Sequence, residues 1–130
     1  MRSVRSVAEN LLFYQLTITV SATGLWCFAG HVFKSEAVAR SIGWAASPFQ
    51  KELGCAEAGI GIAGILCIWF GREFWLCTIL VISTLLVGAA YYHLKDMVGE
   101  CNFKAGNAFM IIPDLLIPLS LILCYLCSAL

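Results

Sequence analysis

Charge is scarce in this chain, and histidine and proline are scarcer. Only 12% of its 130 residues are Asp, Glu, Lys or Arg; the eight basic and eight acidic side chains cancel, and there are two histidines and three prolines. No basic run supplies the electrostatic footprint that nucleic-acid binding requires, so nucleic acid is excluded as a partner. Nucleophile triads, phosphate-cradling loops and dinucleotide fingerprints are missing too, and no reaction type or cofactor is assigned. Internal repeats, low-complexity tracts and interdomain linkers are also absent from the sequence.

What the chain has is apolar residues, 61% of the total, with a mean hydropathy of +0.88. That balance does not suit a water-soluble domain. Measured against the roughly 20 residues of a bilayer-crossing helix, four runs qualify: residues 11–33, 53–70, 74–92 and 108–130. The expectation is an all-α integral membrane four-helix bundle, a single multi-pass domain with spans at about 11–33, 48–70, 74–96 and 108–130. The first run follows Arg2 and Arg5, as a signal peptide would, but it continues past "SATG" as "LWCFAG" and is read as a retained span. Seven cysteines make an odd count. Most of them (Cys27, Cys55, Cys67, Cys77, Cys124, Cys127) lie in the apolar runs, where Cys acts as a small hydrophobe, and no disulfide framework is expected.

Local signals set the boundaries. Ser47, Pro48 and Gln50 have the spacing of a capping box, with Pro at the first helical position and Glu52 a favourable anion in the opening turns. The stretch "SEAVARSIGW" predicts a short interfacial helix after Ser35, with Trp44 at headgroup depth. A tight "GRE" turn, with Gly71 as C-cap and Arg72 and Glu73 in water, joins the second and third spans, which are expected to pack antiparallel. "KDMVGECNFKAGN" reads as the next loop, and Pro113 and Pro118 make the last span kinked or late-starting. Lys34, Arg40, Lys51, Lys95 and Lys104 fall on one side of the membrane and Arg2, Arg5 and Arg72 on the other, so positive charge assigns no orientation.

Alternating the direction of four successive spans brings the end of span one, the start of two, the end of three and the start of four to one face. The scarce polar residues gather there: His31; Gln50, Glu52 and Glu57; Tyr92, His93 and Asp96; Asn107 and Asp114. Helical spacing refines this. Gly54, Glu57, Gly61 and Gly64 form one stripe on the second span, and small residues at that spacing let helices approach closely in lipid. Thr17, Gly24 and His31 repeat on the first span, and Ala89, Tyr92, His93 and Asp96 align on the third. An ionised Asp at mid-bilayer costs roughly 2.5 to 3.5 kcal/mol, so intramembrane acids are paired, protonated or hydrated. The expected site is a buried pocket of Glu57, His93, Asp114 and His31, with Tyr92, Asp96, Gln50 and Asn107 as further ligand-contacting or proton-exchanging groups and Ser47, Pro48 and Glu52 as structural caps. Against this stands the plainer reading that Asp96, Glu52 and His31 are simply solvated near the interface and that Asp114 caps a late helix. Cys27, His31, Glu57 and His93 are metal-ligating types, but their spacing matches no metal motif and no metal site is assigned.

Taken together, "HVF" at 31–33, "IGWAASPFQKELG" at 42–54, "GAAYYHLKD" at 88–96 and "AGN" at 105–107 resemble an uncharacterised family of small four-span bacterial membrane proteins, with the W-x-x-S-P-F-Q stretch the most specific element. The resemblance implies a bacterial inner-membrane location and makes His31, Gln50, Glu52, His93, Asp96 and Asn107 recurring polar positions. In span count the chain also resembles the DoxX-type four-helix proteins, some of which accompany quinone-linked oxidoreductases. The expected function is a membrane-embedded site for a small quinone-like ligand or an ion. Two alternatives stand beside it: an accessory subunit whose glycine stripe docks on itself or on a larger complex, and an oligomeric channel or transporter protomer. The lipid bilayer is the one partner assigned; a homo-oligomer or larger membrane complex stays open.

Overall fold

The computed structural model describes residues 4–129, and within them every regular element is helical. Helix α1 runs Val4–Phe33, with its central turns Gln15–Val20 wound as π-helix; α2 is Ser35–Ile42, α3 Pro48–Leu66, α4 Arg72–Gly99, α5 the single turn Ala105–Ala108, and α6 Ile111–Ala129. Three helical stretches, Val4–Phe33, Arg72–Gly99 and Ala105–Ala129, are long and apolar enough to cross a membrane, which marks a membrane protein. Helix α3 falls short on that measure because Lys51, Glu52 and Glu57 all lie in its first half.

The boundary signals hold in part. Gly43 ends α2 in the left-handed region (φ 96°), as a C-terminal Gly does, and so delimits the predicted interfacial helix. Ser47 is the N-cap of α3 and Pro48 its first residue. The capping box itself does not form: Ser47 makes no side-chain cap bond, and the Gln50 amide instead donates to the carbonyl of Ser35 (3.0 Å), tying the start of α3 to the start of α2. Glu52 is exposed. Gly71 proves to be the N-cap of α4, not the C-cap of α3. The reason is that α3 tightens over Cys67–Phe70, where amides bond back to Ala63, Gly64, Ile65 and Leu66, and closes without it. Arg72 is half-buried and leaves the water: it donates to Ser128 Oγ (2.9 Å) and the Tyr125 carbonyl (3.3 Å), with its guanidinium 4.7 Å from the Tyr125 ring centre.

Helix α1 is the hub. Its C-terminal half packs on α3 and its N-terminal half on α6, which also packs on α4. The expected α3–α4 packing is slight beyond the connecting turn, and an apolar groove of about 270 Å³ lies between them, lined by residues such as Ala56, Gly59, Cys77 and Val81. The cause is the glycine stripe, which turns towards α1. A Cβ on Gly24 would stand 2.5 Å from the Gly61 amide nitrogen, and one on Gly64 would stand 2.8 Å from the Leu16 carbonyl oxygen. Two backbones therefore touch where side chains normally hold helices 8–10 Å apart. Leu12, Leu16 and Val20 meet Ile60, Cys67, Ile79, Ile82, Leu86 and Leu121 in the apolar core, which fills the bundle below the polar end.

Gly24→Ala should therefore destabilise the detergent-solubilised protein by about 1–3 kcal/mol or more through overpacking. Gly59→Ala, where an added Cβ meets nothing within 4 Å, should be neutral or stabilising by a few tenths up to ~1 kcal/mol, the helix-propensity gain. Equal melting temperatures for the two variants would refute the backbone contact.

Candidate functional site

The glycine contact delivers the first polar pair. Gly54 lies under His31 Cβ and Val32, so α1 crosses α3 with the His31 ring above Glu57. His31 Nδ1 and Glu57 Oε2 are 2.7 Å apart, and the Glu57 residue is only 7% exposed. A buried carboxylate is stabilised by such a partner. The bond places the hydrogen on Nδ1, leaving His31 Nε2 without a protein partner.

The second pair is built by α4 and α5. Asn107 is fully buried, and its side-chain nitrogen donates to the carbonyls of His93 (3.3 Å) and Asn102 (2.8 Å). Both of its hydrogens are thereby committed, so its Oδ1 can only accept, and His93 Nδ1, 2.6 Å away, must be the donor. The imidazole is fixed as the Nδ1–H tautomer with Nε2 free. Over its face lies the Trp44 indole, 5.1 Å between ring centres and 12° from parallel. The indole N–H donates to Asp96 Oδ2 (2.9 Å), which also accepts from Asn102 Nδ2 (2.5 Å); Asn102 in turn donates to the Ile42 carbonyl at the end of α2 (2.8 Å).

Between the two pairs sits Asp114, on the first turn of α6 and 4% exposed. His93, Glu57 and Cys27 are its electrostatic neighbours. Its Oδ2 has no hydrogen-bond partner. Four residues on, Pro118 lies inside α6 and has no amide hydrogen to give the Asp114 backbone carbonyl. Asp114 thus keeps one buried carboxylate oxygen with no donor to match it.

The structure accordingly gathers Glu57, His31, His93, Asn107 and Asp114 at one end of the bundle. Glu57 and His93, expected to act as a pair, instead each hold another partner. Tyr92 stands outside the cluster: it is 59% exposed and packs edge-to-face on Tyr91, because adjacent helical positions point about 100° apart. Asp96 is half-buried at the rim in the Trp44 bond, and Gln50 is engaged by Ser35. Asn102 and the stacking role of Trp44 were not foreseen; the loop around Asn102 gave no periodic signal, and Trp44 reads from sequence as a headgroup anchor only. Among the described residues no group of three or more His, Cys, Asp or Glu side chains is placed to hold a metal ion.

The chain matches the profile described as "Family of unknown function (DUF6790)" over residues 1–129 and belongs to that family. No curated protein matches it, and no solved structure does.

Replacing Asn107 by Leu keeps the volume but strands the His93 N–H and two carbonyls. It should cost about 1–3 kcal/mol of stability. Tyr92→Leu should stay within about 0.5 kcal/mol. Thermal unfolding in detergent distinguishes the two, and an Asn107→Leu protein as stable as its parent would rule out the buried network.

Proposed function

We propose that the chain is a four-span, multi-pass bacterial inner-membrane protein, with α3 as the remaining span, that binds a small quinone-like ligand at the buried polar end of the bundle and exchanges protons with it. The observation that carries the reading is the unpartnered Oδ2 of Asp114. A buried carboxylate oxygen facing neither water nor a protein donor calls for a proton, a water or a ligand O–H. A quinol supplies hydroxyl donors, and a quinone supplies carbonyl acceptors. The free Nε2 atoms of His31 and His93 suit both, since an imidazole nitrogen accepts when neutral and donates when protonated. Asp114 is the proposed ligand contact, Glu57 the group that orients His31, and Asn107 the group that orients His93. The resemblance in span count to DoxX-type proteins points the same way.

The accessory-subunit reading relied on a free glycine stripe on the second span, and α1 already covers that stripe. Docking through another surface is not part of the proposal.

The test is binding of a short-chain benzoquinol to protein in lipid nanodiscs, followed by native mass spectrometry and by titration. Wild type should retain the quinol. Asp114→Asn, which keeps the shape and removes the charge, should bind at least about ten-fold more weakly, as expected for losing a charge-assisted hydrogen bond, while melting at a similar temperature. If Asp114→Asn and Glu57→Gln both bind the quinol like wild type, the site reading is lost.

A further inference from the structure

The polar site carries a cover that its ligand chemistry does not require. Residues 43–47 link α2 to α3 and contain no helix, and their Trp44 lies flat on His93. The residues before and after are restrained differently. At one end Gly43 adopts φ 96°, a conformation open to glycine and costly for most other residues. At the other, Pro48 fixes the start of α3. Between these two points the Trp44 amide is tied to the Ala39 carbonyl (3.0 Å), and a single side-chain bond holds the indole down, its N–H to Asp96 Oδ2. Trp44 is also 41% exposed, so the ring rests on the surface of the site and is not part of the core. The helix leading into it, α2, is seated separately: a Cβ on Gly106 of α5 would stand 2.7 Å from the Ser41 backbone, and Asn102 holds the Ile42 carbonyl.

We propose that Trp44 is an aromatic lid over His93, latched by Asp96, whose indole swings about its own side-chain torsions from a backbone pinned by the turn at Gly43, and that it covers the place a planar ligand ring takes on the imidazole face. The proposal deepens the quinone-like reading above and rests on it for the ligand alone. Stacked on an imidazole with an N–H given to a carboxylate, the indole makes the contacts that a flat hydroxyl-bearing ring would make there. Opening the lid exposes the His93 face at headgroup depth, where an amphiphile with a ring headgroup arrives from the bilayer. Asn102 couples latch to seat, because its one amide nitrogen bonds both Asp96 and Ile42. The lid is thus held by the same polar chain that, through Asn107, fixes the His93 tautomer.

The experiment uses the full chain in nanodiscs with Trp26, Trp69 and Trp75 changed to Phe, so that emission reports Trp44 alone. Iodide quenching measures the open fraction without any ligand. Asp96→Ala should raise that fraction about ten-fold, the effect of losing one hydrogen bond to a charged acceptor, whereas Lys95→Ala on the neighbouring exposed position should leave it unchanged. Short-chain benzoquinol should then bind Asp96→Ala faster than the parent, and its binding should change Trp44 emission. Unaltered quenching in Asp96→Ala overturns the lid. Should quenching rise while no quinol binds either protein, the lid stands and the quinone-like reading fails. Should quinol bind both at equal rates with Trp44 emission unmoved, the site stands and the lid fails.

Discussion

Everything at the polar end depends on two backbones touching. Gly24 and Gly61 remove the side chains that would hold α1 and α3 apart, and Gly54 and Gly64 extend the contact in both directions. In lipid, apolar side chains gain little by leaving acyl chains for each other, so close van der Waals contact between backbones is a main source of helix affinity. The contact also sets register. With Gly24 seated on Gly61, the antiparallel helices bring residue 31 over residues 54 to 57, and Glu57 meets His31 without any need for flexibility. An ion pair of this kind is weak evidence of stability in itself, since desolvation opposes the Coulomb gain. Here the packing contact carries the helices together and the pair makes the burial of Glu57 tolerable.

This much was legible in the sequence. Glycine recurring at three- and seven-residue intervals on one face has few uses in a membrane helix, and Glu57 on the same stripe had to point inward. The short helix after Ser35 and the start at Pro48 were legible because caps and prolines act locally. What failed to show was of two kinds. The π-helical turns Gln15–Val20 lie where Gly64 closely approaches Leu16 and Ser21, a tertiary contact that leaves no pattern in "QLTITV". The stacking of Trp44 on His93 joins residues 49 positions apart through a loop with no periodicity. Gly71 was assigned to the wrong helix for a simpler reason, since a glycine between two helices serves equally as the end of one or the beginning of the next.

The two histidines are used alike. Each gives its Nδ1–H to an anchored acceptor, a carboxylate for His31 and an amide oxygen for His93, and each keeps Nε2 free. Bonding one ring nitrogen fixes both tautomer and ring orientation, so the other nitrogen is presented in a set direction. The acceptors differ in a way that matters. A carboxylate partner stabilises an imidazolium directly, while a neutral amide mainly orients. His31 is therefore the ring held beside a carboxylate, and His93 is the ring held in position beneath an indole. Covering by an indole, unlike covering by an aliphatic side chain, keeps the contact polar at its edge.

Asp114 is where these arrangements meet. Its placement on the first turn of α6 is explained locally, because the amide of Asp114 bonds the Met110 carbonyl and the residue before it is a proline. Its environment is not explained locally. A helix-start acid ordinarily faces water or caps free amides, yet this one is buried with an oxygen unmatched, and Pro118 withholds the amide that would have bonded its own carbonyl. Had the chain required only a helix start, an Asn or Ser here would have met the backbone need without placing a carboxylate beside Glu57. Proximity of two acids, two fixed imidazoles and one missing donor is an arrangement that stability alone does not call for, and the proposed proton exchange with a bound ring would use each of its parts.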